Sequence, residues 1–432
     1  MADTVKTGTV KTETVETGTA KTGATTFKPQ NEQQVAEAVQ WAIANETPMA
    51  LVGTGSKQQI GNLMETGCAL DFGDLGGISL YEPEELVLTV GAGSRLCDIE
   101  QALADKGQAF AFEPPDFSHL FADKTTSKVT ENTIGKTGTL GGMVASGFAG
   151  PRRVQAGGVR DYVLGVRAVS GRGEVFKTGG RVMKNVTGYD MPKILTGSWG
   201  TLAAMTQITF KVLPKPETEA TLALIGLSNE KAIKAMSAGL GAPVEVSAAA
   251  HVPKARTLLR LEGLTPSVAS RLESLKQLLA PYGDIDVLGR DASRDVWRKI
   301  RDVRLLGSGK GNRDNAIWRL SVPPAQGASV LAAIEHAIKV NAFFDWGGGL
   351  IWLEVLEQQR SCAAEIRSAI AASGGHATLI RATEKSRAGS AVFQPQPAAL
   401  ALLSQRLKNS FDPKGILNPG RLYGTHTNRQ GE

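Results

Sequence analysis

The sequence predicts an α+β protein of two mixed domains, and three observations predict it. Short strand-like and helix-like apolar spacings follow one another along the chain, Pro214 and Pro216 interrupt them near the middle, and three glycine clusters precede that break. There are 49 glycines among 432 residues, about 11% against a usual value of about 7%. The length allows two or three domains at about 150 residues each, large enough to bury ordinary cores. With 42% hydrophobic and 21% charged residues, disorder is excluded for most of the chain. Cys68, Cys97 and Cys362 lie too far apart for a compact sulfur metal site, and their odd number argues against a disulfide framework. The 48 basic and 42 acidic side chains leave +6 with no long basic tract, so nucleic acid is not an expected partner. Neither a signal-like apolar core nor a bilayer-length apolar run is present, which predicts a cytoplasmic protein touching a membrane only through a partner.

Residues 1–28 repeat Thr, Lys, Gly, Val and Glu and read as a flexible tail. Pro29 and Asn31 then precede Val35, Ala36, Val39 and Ala42, a helical spacing. A short buried strand over 48–52 feeds Gly53-Thr54-Gly55-Ser56-Lys57. Strands are expected over 69–72 and 86–90, and a helix over 95–106 with Leu96, Ile99 and Leu103 on one face. Residues 136–151 are so rich in Gly, Thr, Ala and Ser that they should contribute little packing area. Residues 163–169 and 174–178 flank Gly171-Arg172-Gly173 as a hairpin, and a strand over 205–213 closes the first domain.

Beyond the prolines, strands over 221–227, 258–262, 317–322, 349–356 and 377–382 alternate with helices over 230–239, 267–279, 297–306, 328–339 and 361–372. That order predicts an antiparallel sheet with helices on one face. A helix over 400–407 and a terminal arm follow. The boundaries expected are 29–216 for the first domain, 217–390 for the second, 391–423 for the helix and arm, and 424–432 for a flexible end.

The Gly53 to Ser56 loop offers successive backbone N–H groups and two hydroxyls after a strand, which makes it either a phosphate nest or a plain tight turn. It lacks the spacing of the Rossmann fingerprint and the ending of a nucleoside triphosphate loop. Two further clusters, Thr137 to Gly147 and Thr187 to Leu202, repeat the combination of small and polar residues. Three such clusters in one domain favour a large, extended cofactor over turns alone.

Ordered words in the sequence resemble the flavin-binding domain of the vanillyl-alcohol oxidase and p-cresol methylhydroxylase type. They are the Gly53 to Lys57 loop, Phe112-Glu113-Pro114-Pro115, Thr139-Leu140-Gly141-Gly142-Met143-Val144-Ala145, Gly150-Pro151-Arg152-Arg153, and Val159-Arg160-Asp161-Tyr162-Val163-Leu164-Gly165. Val182 to Asp190, Gly197-Ser198-Trp199-Gly200-Thr201-Leu202, Gly374-Gly375-His376 and Leu417-Asn418-Pro419-Gly420-Arg421 continue the match to about residue 423. The resemblance implies FAD held between two subdomains of a PCMH-type domain, beneath a separate cap domain. It implies that Gly53, Thr54, Gly55, Ser56 and Lys57 form the pyrophosphate loop and that Pro115, Thr139, Gly141, Gly142, Ala145 and Ser146 line the dinucleotide. Gly150 and Arg152 would lie on the isoalloxazine side; Asp161, Gly165, Gly188, Gly200 and Thr201 would support the cofactor, and Asn418 would return to it on the C-terminal arm. Relatives often carry Glu where Trp199 stands. No His follows Gly53 in its loop, so non-covalent FAD is expected.

The resemblance further implies an FAD-containing subunit of a glycolate-oxidising dehydrogenase. Its partners would be a second flavin-containing glycolate oxidase subunit and an iron-sulfur subunit, with glycolate as substrate of the complex. Two other readings stand beside it: a self-sufficient oxidoreductase for another 2-hydroxy acid or alcohol, and a scaffold without redox work. Oxidising a hydroxy acid needs a base and a cation for the carboxylate. Arg152, Arg153 and Arg319 are candidates for the cation, with surface salt bridges as the alternative, and His376 is either a cofactor-facing imidazole or a structural one. His119, His251, His336 and His426 make no metal-ligand spacing. Arg294, Arg298, Arg301 and Arg304, interrupted by Asp295 and Asp302, read as a solvated helix face or a surface for an acidic partner. Phe343, Phe344, Trp346 and Trp352 read as filling for the second core or as interface anchors.

Overall fold

A computed structural model describes residues 12–14, 25–121, 138–181, 189–307, 314–357 and 359–423. The N-terminal half holds two small sheets and a two-stranded pairing of Gln108–Ala109 with Leu213–Pro214. In the first, strands Thr12–Thr14, Thr25–Phe27, Cys68–Asp71 and Met49–Val52 lie side by side in that order, the last two pairings parallel. The tail expected over 1–28 thus contributes strand residues, and its other residues up to 24 lie outside the described ones. Helix Glu32–Ala44 covers this sheet because Asn31 caps it, accepting a hydrogen bond from the Gln34 N–H at 3.0 Å, and because Val35, Ala36, Val39 and Ala42 fall on its buried side.

The second sheet is fully antiparallel, in the order Ile78–Glu82, Val87–Gly91, Ala203–Lys211, Val163–Ser170, Val175–Gly179. Residues 136–151 behave differently from the expectation. Within them Leu140–Ser146 is a helix, capped by the Thr139 hydroxyl and ended by Gly147 in the left-handed region at φ 66°. Leu140, Met143 and Val144 are one helical face and are buried, so a glycine-rich segment does supply core area.

The C-terminal half is one eight-stranded antiparallel sheet. Its order is Ile285–Leu288, Thr218–Ile225, Arg256–Gly263, Ala248–Val252, Val340–Asp345, Leu350–Val355, Ile317–Ser321, His376–Arg381. Alternation decides which layer each residue joins. Leu222, Leu224, Phe344, Ile351 and Leu353 face a core that includes Met236, Leu275, Leu331 and Ile366 from four helices. Their neighbours Ala223, Phe343, Leu350 and Trp352 join Phe117, Phe148 and Trp199 of the N-terminal half in another core. The aromatics are therefore both core and inter-domain contact. The helix expected over 297–306 runs instead over Arg290–Arg301, so Arg304 lies beyond it and the four arginines do not share one helix.

His251 is fully buried between the Thr257 hydroxyl at 2.9 Å and the Asn229 side-chain oxygen at 3.1 Å, and burial pushes its pKa down to about 4. The unfolded chain, titrating near 6.5, takes up the proton first as pH falls. The contribution is therefore present above about 6.5 and lost on acidification through 4. It amounts to about 3 kcal/mol. His251→Gln should flatten the drop in unfolding free energy between pH 7 and pH 4.5, as read by denaturant titration at both values.

Candidate functional site

Strand Met49–Val52 ends at the mouth of a cleft that opens to solvent. One wall is the Gly53 to Lys57 loop, and the opposite wall is Thr139, Gly141, Gly142, Ala145 and Ser146 of the short capped helix. The two walls meet where a Cβ on Gly53 would collide with the Thr139 hydroxyl, so only glycine lets the strand end approach the helix start. Gly200 and Asn418 complete the predicted residues that line the cleft.

Asn418 fastens three chain-distant segments. Its side-chain oxygen accepts from the Leu51 N–H at 2.8 Å and its amide donates to the Trp199 carbonyl at 2.7 Å. Its backbone N–H donates to the Met49 carbonyl at 3.0 Å. Replacing it with alanine orphans a half-buried N–H and a buried carbonyl, an expected cost of about 1–3 kcal/mol. Chemical unfolding of Asn418→Ala checks this, and cofactor retention should fall with it because the same bonds shape the cleft.

The charges around the cleft are one-sided. Lys57, Arg387 and Arg421 line it, and no carboxylate or imidazole does so among the described residues. Burial lowers the Lys57 pKa, with Asp116 partly offsetting it. Burial, then repulsion from Arg387, brings Arg421 down to about 10. Trp199, at φ 55°, packs edge-on against Phe148 and Phe393 at 5.8 and 5.6 Å and separates the cleft from the second half.

Other predicted residues stand outside the cleft. Arg152 is the clearest correction: its guanidinium makes a bidentate bond to Glu262 at 2.9 and 2.6 Å in an inter-domain ion-pair network. Arg319 lies on the large sheet, 5.8 and 5.0 Å from the Phe148 and Trp346 rings, behind the Trp199 wall. His376 begins an edge strand and is exposed. Gly150 gives its carbonyl to the Trp346 indole N–H at 3.0 Å, Asp161 accepts from the Gly158 N–H at 2.8 Å, and the Thr201 hydroxyl donates to the Ser198 carbonyl at 2.7 Å. Gly165 sits mid-strand where a Cβ would press on the Gly180 carbonyl, and Pro115 is buried away from the lining. Gly188 lies outside the described residues.

Sequence reasoning missed Arg387 and gave Arg421 no role. Arg421 closes a word already singled out, Asn418-Pro419-Gly420-Arg421, whereas nothing in the spacing around Arg387 distinguishes it from a surface arginine. No group of His, Cys, Asp or Glu among the described residues could hold a metal ion. No helix among them is long and apolar enough to cross a membrane.

Comparison with known proteins agrees with this geometry. A family described as an FAD binding domain matches residues 24–121 and 119–179, which carry both walls of the cleft. Glycolate oxidase subunit GlcE of Escherichia coli is 34% identical over 391 residues, covering 90% of this chain and 97% of that protein. Glycolate oxidase subunit GlcD of Bacillus subtilis is 25% identical, covering 91% and 88%. Among solved structures, alkyldihydroxyacetonephosphate synthase superposes with a TM-score of 0.64 at 16% identity, covering 93% of this chain and 78% of that one, a likeness of fold. The α+β architecture, the two-walled cleft and the near full-length similarity together establish that this chain belongs to the FAD-linked oxidoreductase family that includes glycolate oxidase subunit GlcE.

Proposed function

We propose that the chain is the FAD-carrying relay subunit of a complex that oxidises glycolate to glyoxylate. In this reading it takes electrons from a second flavin subunit, where the substrate reacts, and hands them to an iron-sulfur subunit. The complex works in the cytoplasm or against the inner membrane. FAD is held without a covalent bond in the cleft between the Gly53 to Lys57 loop and Thr139 to Ser146. When bound, FAD supplies an interchange between hydride and single-electron transfer. The protein's part is to hold it, seal one side with Trp199 and neutralise its phosphates.

The observation that carries this reading is the composition of the cleft. Backbone N–H groups, hydroxyls and three cations suit a dinucleotide. A base for the substrate hydroxyl, which hydroxy-acid oxidation needs, is not among the described lining residues. Anaerobic mixing provides the test. The isolated FAD-loaded chain should keep its flavin absorbance when glycolate is added and lose it only once the partner subunits are present. Bleaching by glycolate alone would make the chain a self-sufficient oxidoreductase, and failure to take up FAD would end the reading.

A further inference from the structure

Two arginines from the last part of the chain, after the final sheet strand, reach the cleft and bind the same loop. Arg387, on helix Glu384–Ala388 just after the last strand, donates to the Gly61 carbonyl at 2.5 Å. Arg421, on the terminal arm, donates to the Lys57 carbonyl at 2.7 Å and lies 5.8 Å from the Trp199 ring. Arg421 is only 8% exposed, and both guanidiniums line the cleft. A guanidinium carries five N–H donors, so each has donors to spare after its loop bond. Neither makes an ion pair with a carboxylate among the described residues; Glu384 offsets Arg387 only at a distance. Burial, then repulsion from Arg387, lowers the hold of Arg421 on its proton.

We infer that Arg387 and Arg421 are a two-guanidinium clamp for the phosphates of the dinucleotide. The inference deepens the FAD reading and rests on it. Phosphate, rather than a substrate carboxylate, is the anion it names. Both arginines hold the loop whose first residues form the N–H nest, and planar forks match phosphate oxygens in pairs. Lys57, at the end of the same nest, adds a third cation.

Methionine keeps much of the arginine stem without the charge, so Arg387→Met, Arg421→Met and the double variant test the clamp. Dissociation constants for FAD, ADP and riboflavin are measured by fluorescence titration at low and high salt, alongside the melting temperature of the cofactor-free proteins. Each single variant should weaken FAD and ADP at least tenfold, leave riboflavin within twofold, and flatten the salt dependence. The cofactor-free variants should still melt cooperatively, so that a loss of binding is not a loss of fold. Unchanged ADP binding in the double variant overturns the clamp, as does a loss confined to riboflavin or glycolate. A loss of riboflavin alongside FAD and ADP, with a lower cofactor-free melting temperature, overturns the clamp and makes the arginines simple loop braces. Wild-type protein that takes up no FAD would instead defeat the cofactor reading itself.

Discussion

Asp412→Ala should cost about 3–5 kcal/mol of stability and release the cofactor. Asp412 is fully buried at the end of helix Ala398–Phe411, where its carboxylate accepts from the Ile416 and Leu417 N–H groups at 2.9 and 2.8 Å and from the Lys408 ammonium at 2.5 Å. Lys408 in turn donates to the carbonyls of Thr201 and Leu417 at 2.6 and 3.0 Å. Burial lowers the Lys408 pKa and Asp412 works against that, so removing the carboxylate leaves a buried cation and two orphaned donors. The arm that follows carries Asn418 and Arg421 to the cleft, so its loosening should appear as weaker FAD binding as well as a lower denaturant midpoint. Lys408→Met added to Asp412→Ala should recover part of the stability, since the unpaired charge is then gone. If the single variant unfolds at the wild-type midpoint, the arm is held by something else.

The second large effect is expected at Arg260. Its fork makes two 2.9 Å bonds to Glu113 and approaches Glu262 at 3.3 Å, while Arg152 grips Glu262 from the other domain. Glu113 and Arg152 belong to the N-terminal half and Arg260 and Glu262 to the C-terminal half, and the Arg152 backbone N–H donates to Glu113 at 2.9 Å, so the four close a ring between the halves. Burial opposes the Glu262 charge, but Arg260 and Arg152 outweigh it and bring its pKa down to about 2. The carboxyl stabilises the fold at every pH above its ordinary 4.5, and this is lost only as pH falls through about 2. Arg260→Met leaves two carboxylates under-compensated and should cost about 3–5 kcal/mol at neutral pH. Limited proteolysis near Pro214 to Pro216 should quicken as the junction opens. Acidification toward pH 3 should narrow the gap from wild type, because Glu262, with Arg260 no longer holding its pKa down, then protonates.

The elements legible in the sequence were those whose own residues carry a period. Helix Glu32–Ala44 and strand Val163–Ser170 are of this kind. The strand Ala248–Val252 was not legible, because Ala248-Ala249-Ala250 has weak strand preference and is set by burial between two layers. The strand Ile78–Glu82 is an edge with an exposed start, so no apolar alternation marks it. At the site, the glycine words identified both walls of the cleft. They said nothing of what faces the walls: Arg152 was placed by the resemblance and both Arg152 and Arg319 were candidates for a carboxylate, and neither ground reveals whether a carboxylate or an aromatic ring already holds the guanidinium. Arg387 acquires its place only through tertiary packing.

The bond from Asn418 to Leu51 spans 367 residues. At about 5–20 residues per second of synthesis, roughly 20–70 s separate the two halves of that contact as they leave the ribosome. The N-terminal loop must wait through that interval with its donors in water, so flavin capture comes after translation. A stalled or truncated product would emerge with a fingerprint intact in sequence and no working binding site.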